Sequence, residues 1–436
     1  MKVLLINSVC GIGSTGRICT DLAQQFEAAG DEVKIAYGRK GTVPEQFQKY
    51  AVRIGTDWDC KMHAIQTRLF DTHGFGSKHA TKKFLQWAEE YKPDLLWLHN
   101  IHGYYINVEM LFDWIKKHPE MQVKWTLHDC WAFTGHCSYC SQLRRYPACY
   151  AMSSVRRNFA RKRAAFTRVP NLTLITPSKW LADLVKQSFL KDYPVEVHYN
   201  TIDTTIFKPT PGDFRERYGL QDKIIVLGVA NVWEVRKGLF DFYKLAEMLD
   251  DRYAIVLVGL SEKQIEDLPK SIKGIQRTNS PQELTAIYTA ADVFVNPSVE
   301  ETFGMTPIEA QACGTPSIVY EDTACAEAAE QTGNKVVPQD VNALYEAITG
   351  EKFMLGGIKH SKMRGCMIVA IPRTNSPQEL AEIYTAANIF ANPTYEDNYP
   401  TVNLEAQACG TKVVTYDTGG CRETLISSLL GQTAFQ

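Results

Sequence analysis

The sequence predicts an α/β fold with two parallel sheets, each wound with helices on both faces, followed by a partial copy of the second. Three observations predict this. Short apolar runs alternate with stretches of helical periodicity. The alternation restarts after a Pro- and Gly-rich connector near residue 210. Residues 277–327 then recur as residues 373–423, with 27 of 51 positions identical.

The first strand is expected at residues 3–7, where an apolar run leads into a glycine-rich loop. Residues 17–29 predict a helix, because apolar residues recur every three to four positions and Gly30 stands where a helix ends. The same reasoning predicts strands at residues 33–37, 95–99, 123–127, 172–176 and 195–199.

The second half repeats this plan. Its strands are predicted at residues 223–230, 253–259, 293–296 and 317–320. The resulting division gives domains at residues 1–207, 208–352 and 353–436. Because ligands of open α/β sheets bind at the carboxyl ends of the strands, the cleft between the first two domains is the expected binding site.

The repeat has an offset of 96 residues (373 minus 277) and two copies, so it indicates a partial duplication and not a solenoid. The second copy has no clear counterpart of strands 223–230 and 253–259. We therefore expect the first copy to complete a domain and the second to remain partial. An incomplete half-domain exposes strand edges, which predicts a homodimer formed through the repeat.

Composition excludes several classes of protein. The 436 residues include 47 Lys and Arg and 49 Asp and Glu, a net charge of -2, so no nucleic-acid partner is expected. The 45% hydrophobic content argues against general disorder. No apolar run approaches the roughly 20 residues that span a membrane, and the N-terminus does not resemble a secretory signal. The 12 cysteines are therefore expected to be cytosolic thiols.

A glycine-rich loop, residues 11–16, follows the first strand and fits the spacing of a dinucleotide-binding fingerprint. Its glycines allow a ligand to approach the backbone, and a helix N-terminus favours anions. Arg39 replaces the acidic residue that the fingerprint requires, so an NADP-dependent oxidoreductase is one alternative, and a turn that only packs helix on strand is another. The candidate ligand contacts are Gly11, Gly13, Ser14, Thr15 and Gly16.

A pair of glutamates, Glu301 and Glu309, brackets a predicted helix start. Pro307 suits the first turn of a helix and Gly314 suits its end, so Glu301 lies in the preceding loop and Glu309 within the helix. A carboxylate accepts two hydrogen bonds side by side, which suits the diol of a ribose or a sugar. Gly304 stands where bare backbone N–H groups can face a ligand.

These glutamates, with Phe-Gly between them and Glu-Ala-Gln-Ala-Cys-Gly-Thr-Pro at the end, resemble the signature of the family-4 retaining glycosyltransferases of the GT-B fold. The resemblance covers about residues 1–350. Residues 98–103 and 127–131 resemble the branches of the family that act on surface polysaccharides. Further segments that resemble the family are residues 176–181, 200–209 and 236–238.

The resemblance implies two Rossmann-like domains that face a cleft, an acceptor domain and then a donor domain. It implies transfer of a sugar, with retention, from a nucleoside diphosphate sugar to a glycan or lipid-linked acceptor. No protein nucleophile is then required, since the leaving phosphate helps to deprotonate the acceptor. The implied donor-binding residues are Glu309 at the ribose and Glu301, Phe303, Gly304, Met305 and Thr306 at the sugar.

The resemblance also implies roles for three residues outside the glutamate motif. Arg236 and Lys237 would stabilise the departing diphosphate, and His128 would lie near the sugar. The 11–16 loop would face the cleft from the acceptor side. One departure is Val232, which stands where the family usually has an arginine, so Arg236 is a candidate replacement.

The second copy differs from the first at the same motif. Asp397 replaces the first glutamate and Pro400 replaces Gly304, while Glu405 keeps the spacing of eight. We therefore expect the first copy to form the working site. A non-catalytic nucleotide-binding protein, whose site the duplication has broken, remains an alternative.

Two weaker patterns concern metals. Asp57-Trp-Asp59 matches the aspartate pair of metal-dependent glycosyltransferases, but it lies in the first domain, and a solvated loop is the simpler interpretation. No catalytic metal and no cofactor are therefore expected. Four cysteines lie within twenty residues. Only one Cys-x-x-Cys pair occurs among them, whereas zinc sites often have two such pairs, so an ordinary cysteine-containing loop is favoured over a zinc site. The four cysteines are Cys130, Cys137, Cys140 and Cys149.

A basic stretch from Arg156 to Arg168 carries six Lys and Arg residues with two interleaved phenylalanines. It predicts an anionic membrane surface as a partner, or else a solvated charged face. With a lipid-linked acceptor, the first interpretation places a cytoplasmic protein on the inner face of the cytoplasmic membrane.

Overall fold

A computed structural model of the chain describes residues 1–39, 41–139, 154–330, 335–350, 376–386, 389–392, 401–416, 424 and 433–435. The chain divides into two compact units, Met1–Cys366 and Met367–Gln436. Four residues named above lie outside the described residues: Cys140, Cys149, Asp397 and Pro400.

The first unit contains two parallel sheets, which confirms the predicted fold class. The first sheet has seven strands in the order β3-β2-β1-β4-β5-β6-β7. They are β1 Lys2–Asn7, β2 Glu32–Tyr37, β3 Ala51–Arg53, β4 Leu95–Leu98, β5 Gln122–Thr126, β6 Leu172–Thr176 and β7 Val195–Val197. The associated helices are α1 Gly13–Ala28, α2 Asp57–Phe70, α3 Lys78–Tyr91, α4 Val108–Ile115, α5 Val155–Phe166 and α6 Lys179–Lys186.

The second sheet has six strands in the order β10-β9-β8-β11-β12-β13. They are β8 Ile224–Val229, β9 Tyr253–Val258, β10 Ile272–Ile275, β11 Val293–Asn296, β12 Ser317–Tyr320 and β13 Lys335–Val337. Its helices are α7 Phe214–Tyr218, α8 Leu239–Met248, α9 Glu262–Glu266, α10 Pro281–Ala290, α11 Met305–Ala312, α12 Ala324–Glu330 and α13 Val341–Thr349.

The central strands form because they are continuous apolar runs that helices cover on both faces. Residues Val3 to Ile6 of β1 and Ile225 to Leu227 of β8 are fully buried. The predicted helix at residues 17–29 begins four residues earlier, at Gly13, so that residues 13–16 form the first turn of α1.

Each sheet changes winding direction beside its first strand. The chain runs outward from β1 through β2 and β3, then returns to β4 on the other side of β1, and β8 and β11 repeat this arrangement. Such a switch point opens a crevice at the carboxyl ends of the strands. The loops after β1, β4, β5, β8 and β11 therefore provide the candidate site.

The second unit has a parallel three-stranded sheet in the order β14-β15-β16. Its elements are α14 Pro377–Ala386, β14 Ile389–Asn392, α15 Thr401–Ala408, β15 Lys412–Tyr416 and β16 Thr433–Phe435. The first four follow in the order of α10, β11, α11 and β12. The turns match as well, since Thr411 N donates to Ala406 O at 3.0 Å and Thr315 N donates to Ala310 O at 2.9 Å.

Candidate active site

The loop after β11 is buried and has one well-defined conformation. Its first turn is fixed by Asn296, whose Oδ1 accepts hydrogen bonds from the backbone N and the Oγ of Ser298. It ends at Gly304, the residue before α11, which has a φ of 85°. A side chain at position 304 would collide with Sγ of Cys325, so this turn requires glycine. The first backbone N–H groups of α11, which follow this turn, have no partner within the helix.

Glu301 lies between two cations. Its carboxylate contacts Nζ of Lys237 and lies 3.6 Å from Nη1 of Arg236, and all three side chains are largely buried. Arg236 is held further by a 2.8 Å bond from Nη1 to Glu300 O, while its Nε has no partner among the described residues. Arg236 and Lys237 thus place two cations against the Glu301 carboxylate in the loop before α11, and such cations suit an anionic ligand.

The loop after β8 carries these cations. Val235–Lys237 forms one turn of 3-10 helix, and Gly238 follows with a φ of 74°. Gly238 packs so closely on Pro297 that a side chain would overlap it. The Val299 N–H donates to Arg236 O at 3.0 Å. The loops after β8 and β11 are thus bonded to each other, and this fixes the cations relative to Glu301.

Glu309 lies in α11, about one helical turn after its first residue, Met305. Its Oε2 accepts a 2.9 Å hydrogen bond from the hydroxyl of Tyr288. Burial raises the pKa of Glu309, against the opposing effects of the Tyr288 bond and of the Arg17 guanidinium. Arg17 belongs to α1, so the helix that follows the glycine loop lies close to the Glu309 side of the site.

The glycine loop has the open backbone that the sequence predicts. Gly11 and Gly13 have φ values of 71° and 67°, and Gly11 N donates to Gly16 O at 3.2 Å. Nδ2 of Asn7, the last residue of β1, donates to Val9 O at 2.8 Å and stabilises the loop. Ser14 and Gly13 are exposed.

His128 follows β5 and lies at the boundary of the two sheets. Its Nε2 is 3.2 Å from Nδ1 of His99, and its backbone O accepts a 3.0 Å bond from Oγ1 of Thr302 in the other half. Burial lowers the pKa of His128 to about 4 and that of His99 well below its usual value. Both imidazoles are therefore neutral at pH 7.

A second polar pair next to His128 was missed in the sequence, although both residues lie in segments that resemble the family. His102 Nε2 is 3.0 Å from Oδ2 of Asp129, whose Oδ1 accepts from Trp131 N at 2.9 Å. Burial raises the pKa of Asp129, but His102 and the Trp131 N–H outweigh this, and its pKa lies below the usual value. This pair provides a hydrogen-bonding group beyond the carboxyl ends of β4 and β5.

Two further contacts between the halves were also missed. The Arg236 guanidinium lies 3.9 Å from the ring centroid of Tyr139. Glu327 of α12 accepts hydrogen bonds from Lys179 N at 2.9 Å and Trp180 N at 3.1 Å, both at the start of α6, and from Tyr199 OH at 2.6 Å. Both contacts join residues more than 90 positions apart, and no local pattern indicates them.

Both aspartates of the Asp57-Trp-Asp59 pattern are bonded to neighbouring residues of the fold. Asp57 pairs with Arg53, and Asp59 forms a capping box with Thr56 at the start of α2. Across the described parts of the chain, no three His, Cys, Asp or Glu side chains are grouped so that they could hold a metal ion. Cys130 and Cys137 are buried.

The predicted basic helix coincides with α5, but several of its charges support the fold. Lys162 is buried and donates to Trp131 O at 2.7 Å, and Arg161 pairs with Glu109. Arg156 and Arg163 are exposed. In the described part of the chain, no helix has the length and apolarity needed to cross a lipid bilayer.

Comparison with known families identifies two segments of the chain. Residues 223–350 match one model described as glycosyl transferases group 1, and residues 367–431 match a second model with the same description. Both segments are thus similar to the glycosyl transferases group 1. The first contains Arg236, Lys237, Glu301 and Glu309. This assignment favours the glycosyltransferase resemblance over the oxidoreductase alternative.

Curated relatives match parts of the chain. The alpha-galactosylglucosyldiacylglycerol synthase of Streptococcus pneumoniae is 29% identical over 171 residues, 36% of this chain and 45% of that protein. The N,N'-diacetylbacillosaminyl-diphospho-undecaprenol alpha-1,3-N-acetylgalactosaminyltransferase of Campylobacter jejuni is 31% identical over 121 residues, 26% of this chain and 31% of that protein. The chain thus spans less than half the length of these two relatives.

Solved structures match more of the chain at lower identity. Sucrose-phosphate synthase from Thermosynechococcus elongatus has a TM-score of 0.59 at 18% identity, covering 81% of this chain and 90% of that one. Anabaena HepE in complex with UDP has a TM-score of 0.55 at 17% identity, covering 80% and 89%. These likenesses show the fold alone, which is the GT-B fold.

Proposed function

We propose that the protein is a retaining glycosyltransferase that moves a sugar from a nucleoside diphosphate sugar to a glycan or lipid-linked acceptor in surface polysaccharide synthesis. The observation that carries this proposal is the environment of Glu301. Its carboxylate, in the buried loop that leads into α11, meets two cations from the loop after β8, and Glu309 follows eight residues later.

In this proposal the donor lies along α11. The Glu309 carboxylate accepts hydrogen bonds from the ribose diol, and Tyr288 holds it in place. Arg236 and Lys237 stabilise the negative charge that develops on the diphosphate as it leaves. Glu301 would exchange part of its ion pair with Lys237 for hydrogen bonds to the sugar. The sugar also contacts the backbone at Phe303, Gly304, Met305 and Thr306.

The first 207 residues would hold the acceptor, and residues 208–352 the donor. His128 contacts the donor sugar from the acceptor side, and residues 11–16 line the same edge. The leaving phosphate accepts the acceptor's proton, so the reaction needs neither a protein nucleophile nor a metal ion. We also propose that α5 holds the protein at the inner face of the cytoplasmic membrane. The chain would form a homodimer through residues 353–436.

The comparisons suggest which ligands to test first. The Anabaena HepE structures hold UDP, UDP with glucose, or UDP-glucose. The Streptococcus relative is named for a glycosyldiacylglycerol and the Campylobacter relative for a diphospho-undecaprenol acceptor. UDP is therefore the first nucleotide to try, and a lipid-linked glycan the first acceptor class.

A thermal-shift screen with UDP, GDP, ADP and NADP tests the proposal, because a ligand that binds the folded state raises the melting temperature. We expect one nucleoside diphosphate to stabilise the intact protein and Glu405→Ala, the matched control in the repeat, but not Glu309→Ala. A shift with NADP alone would contradict the proposal. Stabilisation that depends on Glu405 instead would place the donor site in the second unit. No shift with any of the four nucleotides would also contradict the proposal, because the donor site would then bind none of them.

A further inference from the structure

Helix α2 exposes an apolar stripe that the fold does not use. Leu69 and Trp58 are 69% and 68% exposed, the largest values among the exposed apolar side chains of the described residues, and Ile65 and Met62 are 48% and 44% exposed. At 3.6 residues per turn these four side chains fall within about 60° of arc. We call them the α2 stripe.

The opposite face of α2 is the one that packs on the sheet. His63 is buried there, with Nε2 accepting from Gly76 N at 3.1 Å and Nδ1 lying 2.9 Å from Oγ of Ser77. Thr67, one turn later, is buried too. The helix is therefore fixed to the domain, and its apolar residues face outward. Such a concentrated exposed apolar patch is typical of an interaction site.

The charges around the stripe are basic. Lys61 and Arg68 flank one side of it, and both are exposed and form no ion pair with any described residue. The nearby carboxylates are occupied, because Asp57 pairs with Arg53 and Asp59 caps the helix. Asp59 keeps its negative charge, so Arg53, Lys61 and Arg68 against Asp57 and Asp59 leave one net positive charge beside the apolar side chains.

Helix α5 extends this basic surface. Nη2 of Arg157 donates to the backbone O of Phe70 at 2.8 Å, so the start of α5 adjoins the end of α2. Arg156 is exposed at the same place, and Phe70 itself is 63% exposed.

We propose that the α2 stripe docks the protein on an anionic lipid surface. Trp58, Ile65 and Leu69 would enter the interfacial region, while Lys61 and Arg68 contact lipid phosphates. Helices with an apolar face and basic flanks bind membranes in this way, with strength set by buried apolar area and attraction to anionic lipids. The charge complementarity favours a lipid surface over a second copy of this chain, whose matching stripe would carry the same positive flank.

The stripe is continuous with the acceptor side of the cleft. The chain leaves α2 at Asp71, which pairs with His136 at 2.6 Å, and then reaches His73. The His73 ring lies 5.5 Å from Trp131 and 5.8 Å from His102, the partner of Asp129. A lipid-linked acceptor held at the docked surface would therefore present its glycan next to this pair. This last step rests on the proposed function, whereas the docking itself does not.

Vesicle co-sedimentation of the full chain tests the docking. We expect binding to phosphatidylglycerol vesicles and little binding to phosphatidylcholine vesicles. Ile65→Gln combined with Leu69→Gln should weaken binding at least tenfold, and Lys61→Ala with Arg68→Ala should weaken it roughly fivefold per residue. Matched controls, which should bind as the parent does, are Val402→Gln in the second unit and Lys263→Ala with Lys270→Ala.

The depth of Trp58 in the bilayer distinguishes insertion of the α2 stripe from electrostatic attraction alone. Brominated lipids should quench part of the tryptophan fluorescence, and Trp58→Phe should lose most of that quenching while still binding the vesicles. Because all these side chains are exposed, each variant is expected to melt with the parent protein. Absence of vesicle binding, equal binding by the stripe variants, or a stripe variant that changes the sedimenting mass but not vesicle binding would overturn the proposal.

The vesicle-binding test and the test of the proposed function can fail independently of each other. UDP stabilisation measured without vesicles should be the same in the stripe variants and in the parent. Glu309→Ala should bind vesicles normally. If no nucleotide binds but the stripe variants still lose vesicle binding, the docking stands and the glycosyltransferase proposal fails.

Discussion

At the scale of single residues, the site depends on charged groups that the fold keeps away from water. Glu301 satisfies its buried charge through Lys237 and Arg236, the two cations that in the proposed function would stabilise the diphosphate. Glu309 is different, because a neutral phenol is its hydrogen-bond partner and burial raises its pKa. Its charge is costly in the free protein and useful when a diol binds.

Glu309 predicts a pH dependence with a definite sign. A carboxyl whose pKa is higher in the folded state stabilises the protein at low pH, and this stabilisation is lost as pH rises through that pKa. Glu309→Gln removes the titration, so its melting temperature should exceed that of the parent by more at pH 7.5 than at pH 5. Differential scanning fluorimetry at the two values measures this.

Nucleotide affinity should depend on pH with the opposite sign from stability. It should fall as pH decreases toward 5 in the parent protein, because protonation removes an acceptor for the diol. Glu309→Gln should bind UDP roughly tenfold or more weakly at pH 7.5, with little pH dependence. A variant that bound UDP with the parent's pH profile would show that Glu309 does not contact the ribose.

At the scale of elements, α6 and α12 join the two sheets of the first unit. The Glu327 carboxylate accepts hydrogen bonds from two backbone N–H groups at the start of α6. An anion at a helix N-terminus is stabilising, and these N–H groups have no partner within the helix. Ser178, just before α6, adds a 2.8 Å bond from its Oγ to Thr302 O. This contact links the relative position of the two sheets to the Glu301 loop.

Glu327→Ala should loosen this connection. We expect a loss of about 1–3 kcal/mol in the free energy of unfolding, from the loss of hydrogen bonds to a charged group. A larger radius of gyration in small-angle scattering should accompany it. Glu346→Ala, an exposed glutamate on α13, is the matched control. An unchanged melting temperature and an unchanged radius together would show that Glu327 does not hold the sheets together.

The same scale explains what the sequence could predict. Strands such as β1, β4 and β8 are continuous apolar runs, because helices cover both of their faces. The missed strands of the first unit, β3, β10 and β13, all lie at sheet edges, have three or four residues and are only partly buried. A short half-exposed strand has no run or alternation long enough to recognise.

The site divides in a similar way. Glu301, Glu309, Arg236 and Lys237 lie in short motifs whose spacing is visible in the sequence. The pairs that connect the two sheets form only in the folded protein. Glu327 and Lys179, for example, are 148 residues apart in the sequence. Spacing along the chain carries no information about such pairs.

At the scale of the whole molecule, the two units differ greatly in the core they can form. The first unit has two sheets and several large clusters of buried apolar residues. In the second unit, the described core is a small cluster around Tyr384, Ala406 and Val413, under three strands. A unit of about 70 residues is expected to be marginally stable from its length, since small domains bury a smaller fraction of their surface.

Calorimetry of the full chain should therefore show two transitions. The second unit is expected to unfold first, and the first unit at higher temperature, so a single two-state transition does not apply. UDP should raise the upper transition and leave the lower one unchanged, because the proposed donor residues lie in the first unit. Glu405→Ala, which removes the partner of Tyr384, should affect only the lower transition.

The opposite result would have a clear physical meaning. If UDP raised both transitions together, or if the chain melted in one step that Glu405→Ala lowers, the repeat would be thermodynamically coupled to the donor site. The second unit would then contribute to ligand binding, and the working site would have to include both copies of the glutamate motif.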